Sequence, residues 1–247
     1  MKTLKEIFSR FRLNREDVGF GCDFCGAELF DYPRHRLCRA CEENLPLIGE
    51  NYCTKCGRKA TVLGVCTLCK QRAPQFTQAF SLYNYDGIIP REINRFKGGD
   101  RYLRRAFGER LYKQIYAFTK DKEEEFLLLP VPLSESRQKA RGYNQAAELA
   151  KIVSMRTGIP FLEDVLVKTR DAESQKDTVG ASRFDNVKGI YRVQKRNVCA
   201  GKSILLIDDI MTTGATASEC ARVLFNAGAK NVYFFTIASV EDKLKDE

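Results

Sequence analysis

The sequence has no apolar run that approaches the length of a transmembrane helix, which excludes a membrane protein built on such helices. It also has no N-terminal apolar segment of the kind that opens a secretory signal. Together with ten cysteines, this absence predicts a reducing compartment, where clustered cysteines bind metal more often than they form disulfides. We therefore expect a cytoplasmic protein, and 44% apolar residues are enough for a folded core.

A P-loop, the phosphate-binding motif of nucleotide triphosphatases, is also missing. The only Gly-Lys-Ser, at Gly201–Ser203, has Arg196 where the first glycine of that loop belongs, and it precedes an apolar run instead of following one. A triphosphatase is therefore disfavoured, although the apolar run with two acids at Ile204–Asp209 resembles a Walker B strand.

Charge is plentiful and uneven. The net charge of +9 comes mainly from an excess of basic residues in 1–75 and 137–196. A phosphate-rich ligand would account for the second excess, and nucleic acid would account for both. The composition is compatible with either partner.

Most of the cysteines form four Cys-x-x-Cys pairs between residues 22 and 69. Such a pair can form a tight turn that presents two thiolates to one tetrahedral Zn²⁺, so the four pairs complete two closed sites. Sequential pairing keeps the loops short, and an interleaved arrangement is the alternative. Closed sites leave no position for substrate, so we predict two structural zinc ions, with His35, the only histidine, on the surface as a non-ligand. The predicted ligands are Cys22, Cys25, Cys38, Cys41, Cys53, Cys56, Cys66 and Cys69.

The most informative stretch is the apolar run Ile204–Ile207, which is followed by two acids and a threonine-rich loop. Apolar residues without alternation are typical of a strand buried on both faces of a parallel sheet. We expect this strand to end at Asp208 and Asp209, at the edge where such sheets bind ligands, and carboxylates suit hydroxyl groups or a hard cation such as Mg²⁺. The loop Thr212–Thr216 precedes a helical pattern, and a helix N-terminus binds phosphate. The predicted ligand carries both hydroxyl groups and a phosphate.

A second strand-and-loop unit lies at residues 126–145. Phe126–Leu129 has the pattern of a buried strand, and the loop Val131–Ser134 that follows belongs at the same edge as the acids if the strands are parallel. Arg137 and Arg141 come next, before a glycine and two amide side chains. Guanidinium groups bind phosphate oxygens bidentately, so we expect an anion site here, with a solvated basic turn as the alternative.

The stretch 204–216 resembles the motif that binds phosphoribosyl pyrophosphate (PRPP) in the type I phosphoribosyltransferases. In that family the two acids hold the ribose hydroxyls, the threonine-glycine loop holds the 5′-phosphate, and a loop in the place of Val131–Ser134 holds the pyrophosphate. Arg137 and Arg141, with Mg²⁺, would stabilise the departing charge. The PRPP site that the resemblance implies consists of Asp208, Asp209, Met211, Thr212, Thr213, Gly214, Ala215, Thr216, Val131, Pro132, Leu133, Ser134, Arg137 and Arg141.

Further features narrow this resemblance. With these features the chain resembles the ComF family of competence-associated, phosphoribosyltransferase-like proteins. The features are a cysteine-rich N-terminal segment, Val-Pro followed by Arg-x-x-x-Arg-Gly-x-Asn-Gln, and Gln175 with Asn186 eleven residues later. The resemblance implies Mg²⁺-dependent phosphoribosyl transfer to an unidentified acceptor, in a protein linked to DNA uptake. The alternative is a non-catalytic site that binds or senses PRPP, in a protein that contacts single-stranded DNA or competence and recombination proteins during natural transformation.

We expect an α/β fold in which a small zinc-ribbon module precedes a type I phosphoribosyltransferase-like parallel sheet with flanking helices. The predicted domains are an N-terminal helix with a double zinc ribbon at 1–73 and a phosphoribosyltransferase-like domain at 74–247. Met1–Arg15 is predicted to be a helix that packs on the protein, or alternatively on a membrane surface. Residues 168–188 are predicted to form a mobile loop over PRPP, or else a linker. Lys97 and Asp100, beside two glycines, fit a solvated loop as well as a functional one.

Overall fold

A computed structural model describes residues 21–30, 35–61, 63–169 and 184–241 of the protein. The helix predicted for Met1–Arg15 and most of the loop predicted for 168–188, including Gln175, lie outside the described residues. Among the helices within these ranges, none combines the length and the apolar character that crossing a membrane requires.

The strands of the described residues form a main sheet and a small hairpin. They are β1 (Gln78–Asn84), β2 (Phe126–Pro130), β3 (Leu166–Lys168), β4 (Tyr191–Val193), β5 (Ser203–Met211) and β6 (Asn231–Ser239). The main sheet has the order β1-β6-β5-β2 and is parallel throughout, whereas β3 and β4 pair antiparallel. Strand β5 is therefore a central strand, with β2 on one side and β6 on the other.

The α-helices in the same part of the chain flank this sheet. Pro90 lies in the first turn of α3, where its missing N–H removes no hydrogen bond, and Gly99 follows the last residue of that helix with φ 129°. The helices are α1 (Arg39–Glu43), α2 (Thr67–Arg72), α3 (Ile89–Gly98), α4 (Leu103–Thr119), α5 (Glu135–Arg141), α6 (Gln145–Thr157) and α7 (Ala215–Phe225).

Both faces of the sheet are buried. Alternate residues of β5 point to opposite sides of the sheet, and each set packs in an apolar cluster. Leu205 and Ile207 pack in one apolar cluster with helices α3, α4 and α6. Ile204 and Leu206 pack in a second cluster with helix α7 and the β3-β4 hairpin. The prediction of a strand buried on both faces, in an α/β fold with a parallel sheet and flanking helices, is confirmed.

Strand β5 extends further than the sequence predicted. It was expected to end at the two acids, but it continues to Met211 because β6 runs beside it and pairs Asp208 with Thr236 and Met211 with Ser239. On the other side, the ladder with β2 ends at the pair Pro130 and Ile207. The two acids therefore lie within a strand, on a stretch that β2 no longer accompanies.

The cysteine-rich segment packs against both faces of the sheet. Cys22 belongs to the apolar cluster of α3, α4 and α6, whereas Cys53 belongs to the cluster of α7. Between these two contacts, Leu47 forms a bridge with Tyr83 on the edge strand β1. The segment therefore passes around the β1 edge and shares its core with the sheet. A domain boundary at 73/74 stays a prediction.

Candidate functional site

The cysteines of the N-terminal segment form two tetrads. Within each tetrad the Sγ atoms lie within 4.8 Å of one another, and the pairing is sequential instead of interleaved. Four thiolates at this spacing fit a tetrahedral metal ion such as Zn²⁺, so each tetrad could hold one ion. His35 is exposed and belongs to neither tetrad. The first tetrad is Cys22, Cys25, Cys38 and Cys41, and the second is Cys53, Cys56, Cys66 and Cys69.

Backbone N–H groups support the thiolates of the second tetrad. The N–H groups of Cys56 and Cys66 donate to the Cys53 Sγ at 3.4 and 3.3 Å. The neighbouring thiols of Cys56 and Cys69, together with these backbone bonds, lower the pKa of the Cys53 thiol, whereas Cys53 raises the pKa of the Cys56 and Cys69 thiols. Hydrogen bonds to the charged form favour it, so Cys53 is favoured as a thiolate, the form that binds metal.

The two acids lie at the open stretch of β5 and interact with each other and with a lysine. The backbone N–H of Asp209 donates to Asp208 Oδ1 at 2.8 Å, and Lys97 Nζ lies 3.1 Å from Asp209 Oδ2. Burial, with the charge of Asp209, raises the pKa of Asp208 to about 8, although Lys97 and Arg141 act in the opposite direction. A ligand that replaces water here meets two acidic side chains, with the Lys97 cation beside Asp209.

The loop Thr212–Thr216 leads directly from β5 into helix α7. Gly214 is the N-cap residue, with φ 82°, and the Thr213 Oγ1 accepts the N–H of Ala215 at 3.3 Å. The N–H groups of the first helical turn have no partner within the helix, so this end attracts an anion. Gly214 and Ala215 are buried, whereas Thr212 is exposed. The loop therefore offers phosphate-binding groups next to the acids.

The loop Val131–Ser134 lies beside β5 and is anchored there. The Val131 N–H donates to the Ile207 carbonyl at 2.8 Å, one residue before the acids. Asn144 holds the other side, because its Nδ2 donates to the Val131 carbonyl at 3.0 Å while its Oδ1 accepts the N–H of Ala146 at 2.9 Å. Asn144 thus caps helix α6 and fixes this loop at the same edge as the acids.

The two arginines, predicted to form an anion site or alternatively a solvated basic turn, are carried by helix α5. Arg137 is exposed, whereas Arg141 is half-buried and its Nη1 donates to Gln145 Oε1 at 2.9 Å. The charge of Arg141 lowers the pKa of Asp208, which places it near the acids. The Gln145 Nε2 is buried without a hydrogen-bond partner. Arg141 thus belongs to the edge, and Arg137 lies at its rim.

Three residues at this edge of the sheet were not among the predicted site residues. The sequence fits Lys97 to a solvated loop as well as to a functional one, and its glycine-rich neighbourhood is the only sequence signal. Tyr191, on β4, is buried, and that burial raises its pKa, whereas a hydrogen bond with the Thr216 side chain lowers it. Arg58, between the cysteines, donates a hydrogen bond from Nη2 to the Thr212 carbonyl. No sequence pattern pointed to the last two.

Known proteins resemble this chain over most of its length. A phosphoribosyl transferase domain model matches residues 139–247, which include the acids and the threonine loop. The chain is 30% identical to competence protein ComFC from Bacillus subtilis over 83% of this chain and 85% of that protein. It is 31% identical to competence protein ComFC from Streptococcus pneumoniae over 81% of this chain and 86% of that protein. It is 24% identical to DNA utilization protein YhgH from Escherichia coli O157:H7 over 73% of this chain and 80% of that protein. The fold is that of a type I phosphoribosyltransferase, with a cysteine-rich module before it.

Proposed function

The chain belongs to the ComF family, and we propose that it binds PRPP at the carboxyl edge of β5. The observation that supports this most strongly is one continuous unit of strand, loop and helix. It places Asp208 and Asp209, acceptors for sugar hydroxyls, directly before a helix N-terminus suited to a phosphate. Ribose 5-phosphate presents these two groups, and the anchored loop Val131–Ser134 would receive the pyrophosphate.

Magnesium fits this assignment. Carboxylate oxygens are the ligands that Mg²⁺ prefers, and the cation usually binds proteins through one or two of them together with substrate phosphates. Asp208 and Asp209 would hold the ion with PRPP, where it would neutralise pyrophosphate charge. Arg141 would add to that stabilisation from the neighbouring helix. In the two tetrads we propose zinc, in a structural role.

The proposed reaction is phosphoribosyl transfer. A nucleophilic atom of the acceptor forms a bond to C1 of the ribose while the bond from C1 to the pyrophosphate oxygen breaks. Pyrophosphate leaves with the electron pair, and the acceptor loses its proton to solvent. The role of the chain is to orient the ribose and to stabilise the charge that develops on the leaving group.

A screen for pyrophosphate release tests this proposal. The protein is incubated with PRPP, Mg²⁺ and a panel of bases and amines, and released pyrophosphate is measured. We expect release with at least one acceptor class, and none with the Asp208→Asn/Asp209→Asn variant, which is the matched control. PRPP binding in calorimetry without release for any acceptor would favour a sensing site. Absence of PRPP binding would contradict both readings.

The second candidate function is a non-catalytic PRPP site in a protein that handles single-stranded DNA. It is favoured by the relatives named for competence and DNA utilization and by the net charge of +9. Such binding displaces counterions from the nucleic acid, so the affinity for single-stranded DNA should fall steeply as salt rises. Fluorescence anisotropy with labelled oligonucleotides between low and moderate salt measures this slope. An affinity that does not change with salt, or no binding at low salt, would remove this candidate.

A further inference from the structure

The two cysteine tetrads begin with the same hydrogen-bonded turn, but the residue that closes the turn differs between them. In the first turn, the Cys22 N–H donates to the Ala27 carbonyl at 2.7 Å, and in the second, the Cys53 N–H donates to the Arg58 carbonyl at 2.8 Å. Ala27 and Arg58 therefore occupy equivalent positions. Ala27 is exposed, whereas only 3% of Arg58 is exposed. The second turn thus carries a buried cation that the first lacks.

The Arg58 side chain reaches the proposed phosphate loop. Its Nη2 donates to the carbonyl of Thr212, and a Cβ added to Gly214 would lie 3.9 Å from the same nitrogen. Its Nε is buried without a hydrogen-bond partner. A buried guanidinium group is costly unless a negative charge compensates it. A metal site with four thiolates keeps a net negative charge, and the tetrad that adjoins Arg58 would supply that compensation.

The second turn is also fixed on the sheet. A Cβ on Gly57 would lie 2.4 Å from the Ala79 carbonyl oxygen, so the turn touches β1 through backbone atoms alone. The Ala79 N–H donates to the Lys55 carbonyl at 2.8 Å. By contrast, a Cβ on Gly26 of the first turn would meet nothing within 4 Å. The backbone of the second tetrad, and with it the start of the Arg58 side chain, therefore has a set position relative to β5 and its loop.

We propose that Arg58 is a positioning residue that couples the metal site of the second tetrad to the loop Thr212–Gly214. With the metal bound, the turn holds the guanidinium group against the Thr212 carbonyl and keeps the loop amides directed at an anion. Without it, the thiolates take up protons, so the compensating charge is lost, the turn relaxes and the loop loses this contact. This coupling rests on the proposed function, since it makes metal occupancy set the affinity for the 5′-phosphate.

Hydrogen exchange of the loop amides tests the positioning role without any ligand. The variant is Arg58→Met, which keeps the unbranched stem of the side chain and removes the guanidinium donors. The matched control is Lys59→Met, which removes a cation from the adjacent, exposed position. A charge-assisted hydrogen bond corresponds to about a tenfold change in an equilibrium, so amides 212–216 should exchange about tenfold faster in Arg58→Met and unchanged in Lys59→Met. Exchange at the wild-type rate in Arg58→Met would overturn the proposal.

Arg58→Lys is the second variant, because metal loss in Arg58→Met would change both links at once. Lysine keeps the charge and loses the fork, so its metal content should stay at that of the wild type while loop exchange takes an intermediate rate. Arg58→Met with full metal content and fast loop exchange supports the proposal. Full metal content and slow exchange in both variants overturns it.

The coupling between the metal site and the anion site can also be measured on the unmodified protein. If the metal site strengthens anion binding, anion binding must strengthen the metal site by the same factor. Equilibrium competition with a chelating dye should show ribose 5-phosphate raising the affinity for one metal ion severalfold and leaving the other unchanged. Equal metal affinities with and without saturating ribose 5-phosphate would overturn the coupling. If calorimetry shows that the wild type binds neither PRPP nor ribose 5-phosphate, the proposed function fails, while the exchange experiment still decides the role of Arg58.

Discussion

The Cys53→Ser variant is expected to bind one metal ion instead of two and to lose the folded structure around the second tetrad. Cys53 is fully buried, and its Sγ accepts two backbone N–H groups in addition to its place in the tetrad. Structural zinc contributes roughly 10–16 kcal/mol to the folding of small zinc domains, which is more than the stability of most domains. A serine hydroxyl does not replace a thiolate as a zinc ligand, so most of that contribution should disappear.

The damage should extend beyond the cysteine segment. Cys53, Cys56 and Cys69 pack in the same apolar cluster as Leu206 and helix α7, so losing the tetrad uncovers part of one face of the sheet. We expect a lowered melting temperature for the whole chain and early proteolytic cleavage between residues 53 and 74. Metal analysis, thermal unfolding and limited proteolysis measure the three effects.

Cys199→Ala and Cys220→Ala provide the controls for this prediction. Both cysteines are fully buried but belong to neither tetrad. Their removal should leave two ions per chain, with only the stability loss of a small buried side chain. A Cys53→Ser protein that keeps two ions, or a wild-type protein with one ion or none, would show that the tetrads are not the predicted zinc sites.

The features that the sequence predicted are those encoded by neighbouring residues. The four Cys-x-x-Cys pairs predict the tetrads because each pair forms its own turn. Ile204–Ile207 predicts a buried strand because burial on both faces removes the alternation of apolar and polar residues. Sequential pairing was preferred from loop length alone, and the structure has it. Such patterns need no knowledge of what lies across the fold.

Contacts between distant segments could not be predicted in this way. Arg58 and Thr212 are 154 residues apart, and nothing near Arg58 distinguishes a buried donor from an exposed basic residue. The end of β5 was misjudged for the same reason, since the strand continues only because β6 accompanies it as far as Ser239. The sequence fits Lys97 to a solvated loop as well as to a functional one, and only the placement of its amino group beside Asp209 favours the second.

The Asp208→Asn/Asp209→Asn variant should be more stable than the wild type at alkaline pH. The folded protein raises the pKa of Asp208 from 3.8 to about 8, so the folded state holds a proton that the unfolded chain has released. The contribution of Asp208 to stability therefore declines as pH rises from about 4 to about 8. Asparagine does not titrate, so the stability of the variant should not show this decline with pH. The gain in stability at alkaline pH is reduced by the loss of the ion pair between Lys97 and Asp209. Denaturant unfolding at pH 4.5 and pH 8.5 measures the difference, and equal pH profiles would contradict the pKa assignment.

The same variant should bind PRPP at least about tenfold more weakly than the wild type, because a hydrogen bond to a charged acceptor such as Asp209 contributes roughly 1.5–3 kcal/mol. The shape of the site is kept, and the loss falls on the contacts to the ribose hydroxyls and to any Mg²⁺ that the carboxylates hold.

Thr213→Val is the comparison: it removes a hydroxyl at the helix N-terminus and leaves the amides, so the affinities for ribose 5-phosphate and for PRPP should fall by equal factors. Lys97→Met removes the cation beside Asp209 and keeps both acidic side chains. It therefore measures how much of the PRPP affinity depends on that cation. Calorimetry with both ligands on the folded variants decides among these assignments, and wild-type PRPP affinity in the double asparagine variant would falsify the site from which the proposed function is derived.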